Sequence, residues 1–133
     1  MIKLFIGGKG SGKTKTLIEL SNNAANTSKG SVICIEKGSK LKHEITYKAR
    51  LIDTDAYAVC DAEALFGFIA GILASNSDIT DIFVDSALKI FGGDTASFEA
   101  MLGKLKAISN DVNLVMTVSI PVEECPDGIK AYV

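Results

Sequence analysis

Apolar and polar positions along this 133-residue chain fall into two alternating rhythms. Ile2–Ile6, Ser31–Glu36 ("SVICIE"), Ala49–Asp53 ("ARLID"), Ile79–Asp85 ("ITDIFVD") and Asn113–Val118 are short and largely apolar, and read as strands buried on both faces. Between them lie segments with helical spacing. Lys13–Ala25 carries Leu17, Ile18 and Leu20 on a modest apolar side. Ala62–Asn76, with Asp61 placed to cap it, sets Leu65, Phe66, Ile69, Ile72 and Leu73 on one face. After the break at Gly92–Asp94, Thr95–Ser109 aligns Phe98, Met101, Leu102, Leu105 and Ile108. Lys37–Lys48 has no clean period and reads as a loop with helical turns, and Pro121 stands where a last helix can start. Buried strands alternating with helices predict one α/β domain over 1–133, with a mostly parallel five-stranded sheet between helical layers.

Composition narrows the chemistry. Hydrophobic residues make up 47% and charged residues 23% of the chain, the balance of an ordinary globular domain. The net charge of −2 offers no overall field for nucleic acid or anionic membrane. Arg50 is the only arginine, which argues against base-specific DNA reading. Lys37, Lys40, Lys42, His43, Lys48 and Arg50 form a basic stretch open to nucleotide phosphates, a nucleic-acid backbone or an acidic partner, or simply a solvated loop; it is diluted by Glu36 and Glu44 and interleaved only with Tyr47. Cys34, Cys60 and Cys125 are odd in number and contain no CxxC, so they read as reduced thiols of a cytoplasmic protein. One histidine, His43, leaves no His-based triad. The run Met1–Phe5 is too short for a signal sequence, and no apolar run is long enough to cross a bilayer.

The chemistry concentrates after the first strand. Gly7, Gly12, Lys13 and Thr14 satisfy G-x-x-x-x-G-K-[ST], the Walker A pattern, between a strand and a helix. Glycines let the backbone turn its N–H groups toward an anion, and the helix N-terminus adds its dipole. The phosphate-binding set is Gly7, Gly8, Lys9, Gly10, Ser11, Gly12, Lys13, Thr14 and Lys15. Lys13 reaches the β- and γ-phosphates, and Thr14 offers its hydroxyl to Mg²⁺. An acid is needed to hold the metal through water, and Asp85 leaves the C-terminal end of a buried strand to supply it; its bland role is to cap the next turn. No N-K-x-D occurs, so ATP is expected over GTP.

With both motifs placed, the chain resembles a P-loop NTPase of the RecA-like branch, over Ile2 to about Ser119. "IFVDSALKI" is similar to that branch's Walker B strand. More narrowly, the chain resembles short bacterial ATP-binding proteins often labelled twitching-motility-type ATPases, which end in a proline-containing helix like Pro121–Tyr132. The resemblance implies ATP and Mg²⁺ as ligands and a water-polarising glutamate at the end of the second strand. Glu36 stands there, either in that role or as a solvated strand-end charge beside Lys37. It implies a polar residue ending the strand between the two motif strands, for which Thr117 and Ser119 are candidates. It also implies the spatial order Ala49–Asp53, Ser31–Glu36, Ile79–Asp85, Asn113–Val118, Ile2–Ile6. A cationic finger is the missing part: Arg50 is a finger for a neighbouring copy or a strand-edge residue. The expected function is slow ATP hydrolysis with Lys13 and Glu36 as catalytic residues. The alternatives are a nucleotide-sensing module, whose protein partner or self-association the sequence does not identify, and a small phosphotransferase with Lys37–Lys48 as its lid.

Overall fold

The computed structural model describes residues 1–133. Five strands, β1 (Ile2–Gly7), β2 (Ser31–Glu36), β3 (Arg50–Asp53), β4 (Ile79–Val84) and β5 (Asn113–Ser119), form one sheet in the order β1-β5-β4-β2-β3. Every strand pairing is parallel, and the order is the one the RecA-like resemblance implied. The helices are α1 (Lys13–Thr27), α2 (Ala62–Ser75), the short α3 (Ala87–Ile90), α4 (Thr95–Ile108) and the short α5 (Asp127–Lys130).

The alternation of side chains along each strand divides the core into two layers. Ile33 and Ile35 of β2, Ile82 and Val84 of β4, and Leu114, Met116 and Val118 of β5 face α2 and α4. Val32, Cys34, Phe83 and Val115 point the other way, into a smaller cluster with Leu17 of α1. That second face is completed by Leu41, Ile45 and Ala49, which the 37–49 segment lowers onto the sheet. Asn22 of α1 ties this segment down, donating to the Glu44 carbonyl at 2.9 Å and accepting from the Thr46 N–H at 2.8 Å. The segment is therefore part of a packed layer. Fully buried Leu65, Ile69, Leu102 and Leu105 anchor α2 and α4; each such side chain is worth about 1.5–3 kcal/mol relative to exposure.

Helix starts follow from single residues. Asp61 accepts from the Ala64 N–H at 2.7 Å, as expected, and Asp94 accepts from the N–H groups of Ala96 and Ser97 at 3.1 and 3.3 Å. The C-terminus departs from expectation: Pro121–Tyr132 is not one helix. A 3-10 turn over Val122–Glu124 and α5 each begin after a proline, Pro121 and Pro126, both in extended backbone. Pro126 has no N–H to continue the first turn, so the segment breaks in two. Here the chain closes over β1, with the Leu4 N–H donating to the Tyr132 carbonyl at 2.9 Å. No helix is long and apolar enough to cross a membrane.

Candidate nucleotide site

All five strands point the same way, so their C-terminal ends share one edge, the place where open parallel sheets hold ligands. A cavity of about 510 Å³ opens there, with one hydrophobic lining residue, Leu41. It brings together parts from the ends of four strands: the loop after β1, Glu36 of β2, Asp85 after β4 and Ser119 of β5.

The loop Gly7–Thr14 turns on positive backbone angles. Gly12 precedes α1 at φ +86°, and no side chain caps the helix. Gly7 ends β1 against Ser11; a Cβ there would lie 2.6 Å from Ser11 Oγ, so a larger residue would displace the turn. The first turn of α1 contains no acid but does contain Lys13 and Lys15, cations at the positive end of the helix dipole. Such placement is unfavourable unless an anion lies between them and the uncapped amides. The Lys13 ammonium donates to the Gly8 carbonyl at 2.9 Å and to Ser11 Oγ at 3.1 Å. Partial burial lowers its pKa, opposed by the charge of Asp85.

Asp85 is the hub of the site. Its Oδ1 accepts from Thr14 Oγ1 at 3.1 Å and from Thr117 Oγ1 at 2.8 Å, residues 71 and 32 positions away. Thr117, fully buried, also accepts the Ser86 N–H at 2.7 Å. Ser86 has φ +50°, a left-handed conformation uncommon outside glycine, which turns the chain directly after Asp85. Of the two candidates for the polar residue on the intervening strand, Thr117 makes the contact, while Ser119 lines the cavity.

Glu36 is not the solvated charge of its bland reading. It is 3% exposed, and its oxygens accept from the backbone N–H groups of Lys40 at 3.1 Å and Leu41 at 3.0 Å. Burial pushes its carboxyl pKa up; the two backbone donors pull it back, and the charges of Asp85 and Asp53 add to the rise. Glu36 thus folds the turn after β2 while facing the same cavity as Asp85. Cys34, two residues inward along β2, is sealed in the core, and burial with the charges of Glu36 and Asp85 pushes its thiol up to about 12.

Lys9, Gly10, Gly12, Lys13, Thr14 and Lys15 line the cavity, as the motif implies. Gly7, Gly8 and Ser11 support the loop from outside the lining. Arg50 lies exposed on β3, the edge strand farthest from the loop. Lys89 and Ser86 were not among the expected site residues, and Lys40 was expected only as part of the basic stretch; all three line the cavity. For Lys89 a signal existed: it lies four residues after Asp85, in the short segment that leaves the same strand end. The oxygen pair Thr14–Asp85 suits Mg²⁺, which takes few protein ligands and draws the rest from phosphate and water. No three His, Cys, Asp or Glu side chains converge on a common point.

Compared with known proteins, the chain matches no family model and no curated protein.

Proposed function

We propose that the chain is a minimal P-loop domain that binds Mg²⁺-ATP and hydrolyses it slowly. The observation that carries this reading is the contact between Thr14 and Asp85, which joins the hydroxyl at the start of α1 to a carboxylate 71 residues away. A hydroxyl and a carboxylate converging beside an uncapped, lysine-bearing helix N-terminus are the parts needed to hold a metal against a phosphate chain. Lys13 would neutralise the phosphates, and Thr14 and Asp85 would hold the metal, whose contribution is to draw negative charge from the phosphoryl oxygens.

In the hydrolytic step a water oxygen bonds to the γ-phosphorus while the bond from that phosphorus to the β–γ bridging oxygen breaks. ADP leaves with the bond's electron pair, and the water's proton passes to the Glu36 carboxylate. Burial favours proton uptake by Glu36, whereas the Lys40 and Leu41 donors hold its charge in place and reduce its basicity. Slow turnover follows from that engagement. The same engagement supports a second reading, a nucleotide-responsive module in which Glu36 holds the 37–49 segment and no significant chemistry occurs. A phosphotransferase is less well supported, because the segment that would be its lid packs Leu41, Ile45 and Ala49 into the core.

Calorimetry of Mg²⁺-ATP binding to wild type and Lys13→Ala, with phosphate release followed in parallel, tests the reading. Binding lost in Lys13→Ala, with release abolished by Glu36→Gln while that variant keeps the wild-type ATP:ADP affinity ratio, is the hydrolase result. Binding without release establishes the module. Failure of wild type to bind either ATP or GTP refutes both.

A further inference from the structure

No arginine is available at the site, yet the structure brings two distant lysines to its mouth. Lys40 arrives from the turn after β2, where the Glu36 carboxylate holds its backbone N–H at 3.1 Å. Lys89 arrives from α3, after β4. Both line the phosphate cavity, together with Lys9 of the loop. Lys89 and Lys40 face the same cavity; the neighbouring Lys40 side chain and its charge, then burial and the charge of Lys9, lower the Lys89 pKa, with Asp85 opposing.

None of these three ammonium groups has a carboxylate partner, since the one ion pair in the chain joins Lys37 to Asp55 at 2.7 Å. The cavity carries six lysines against two carboxylates, Glu36 and Asp85, in a chain whose overall charge is −2. Positive charge is thus gathered here against the sign of the whole molecule. Holding like charges together without a counter-charge is unfavourable, and an anion with two or more oxygens relieves it. Lys13 belongs to the loop after β1, whereas Lys40 and Lys89 follow β2 and β4, on the far side of β5. Strands lie about 4.8 Å apart, so a phosphate chain that starts on the loop must run along the strand ends to meet this pair.

We propose that Lys40 and Lys89, with Lys9 beside them, form a cationic subsite for the terminal phosphate of a nucleoside triphosphate. The chain then distinguishes triphosphate from diphosphate with its own residues. This inference rests on the nucleotide reading above and names which nucleotide the site prefers.

The test is the ratio of Mg²⁺-ATP to Mg²⁺-ADP affinity at fixed ionic strength, in wild type, Lys40→Gln, Lys89→Gln, the double variant and the two arginine replacements. Both lysines are exposed, so the fold tolerates these changes, and ADP binding serves as the control. Each glutamine replacement should weaken ATP about tenfold to hundredfold, the scale of one charge-assisted hydrogen bond, and leave ADP within about twofold. Arginine at either position should restore most of the ratio. An unchanged ratio overturns the subsite, whether both affinities fall together or neither moves. Inorganic phosphate is then titrated into the ADP complex. If the glutamine variants lose that phosphate while keeping the ATP:ADP ratio, the pair serves a second phosphorylated molecule and the assignment falls. ADP binding that Lys13→Ala abolishes keeps the loop reading intact even if the subsite fails. Absence of any nucleotide binding in wild type removes both.

Discussion

Replacing Thr117 by valine is the sharpest probe of how the site is built. The two side chains have nearly the same shape, and Thr117 is fully buried, so the change removes a hydroxyl and little else. That hydroxyl donates to Asp85 Oδ1 at 2.8 Å and accepts from the Ser86 N–H at 2.7 Å. Without it the Ser86 N–H loses its acceptor in a part-buried turn, at a cost of about 1–3 kcal/mol. The carboxylate loses one charge-assisted bond but keeps Thr14 and its cavity face, which softens the second loss. Together these come to about 2–4 kcal/mol, a large share of the roughly 5–15 kcal/mol that holds a domain folded. At about 2.1 cal/mol/K of unfolding entropy per residue, 133 residues convert that loss to roughly 7–14 °C in Tm. Urea unfolding of wild type, Thr117→Val and Thr117→Ser measures it. Serine keeps the hydroxyl and loses only a methyl, so it should cost about 1 kcal/mol. A double-mutant cycle with Asp85→Asn should then show coupling above about 0.5 kcal/mol. Equal destabilisation by valine and serine, or a valine cost below 0.5 kcal/mol, would refute the view that this hydroxyl seats Asp85.

Two further outcomes concern the frame and the buried acid. Gly30→Ala should destabilise by about 1–3 kcal/mol in the same assay, because its Cβ would collide with the Asp78 carbonyl and the Thr80 methyl; an unchanged urea midpoint would show that this strand entry can shift. The Glu36 pKa is raised in the fold, so the folded state holds this proton more tightly than the unfolded chain. That contribution is complete below the ordinary value of 4.5 and is lost as pH rises through the raised pKa. Wild type should therefore lose stability relative to Glu36→Gln as pH climbs from that value, and a difference that grows in the opposite direction would contradict the burial argument.

The sheet was legible because its strands are apolar at successive positions, a pattern that only burial on both faces explains. Which residue faces which layer was not legible: "VICI" reads as one run, yet Val32 and Cys34 join the α1 side while Ile33 and Ile35 join the α2–α4 side. The Gly7–Thr14 loop and Asp85 were readable from spacing, because backbone turns and strand ends are local properties. Thr117 was one of two candidates, and register decides between them, since its partner Phe5 lies two residues before Gly7 on β1. The closing stretch "SIPVEECPDGIKAYV" misled through Pro121: a proline can open a helix, but Pro126 five residues later stops it. Lys40 and Lys89 lie 49 positions apart, and nothing in either neighbourhood marks them as a pair. Their placement on one cavity depends on β2 and β4 being adjacent and on Glu36 turning the chain at Lys40.

Glu36 joins these strands of the argument. As a carboxylate it has two oxygens with two lone pairs each, and the Lys40 and Leu41 N–H groups take one on each oxygen. Acceptor capacity for a water therefore remains while the turn stays closed. The clamp and the chemistry do not exclude each other, but they share one group, and a change that removes one perturbs the other. Glu36→Gln leaves a single acceptor oxygen for two backbone donors, so it loosens the turn that carries Lys40 as well as removing a base. A loss of phosphate release in that variant counts as loss of a base only if its ATP:ADP affinity ratio stays at the wild-type value. If the ratio collapses too, Glu36 acts by placing Lys40, and the nucleotide-responsive module is the better account of this fold.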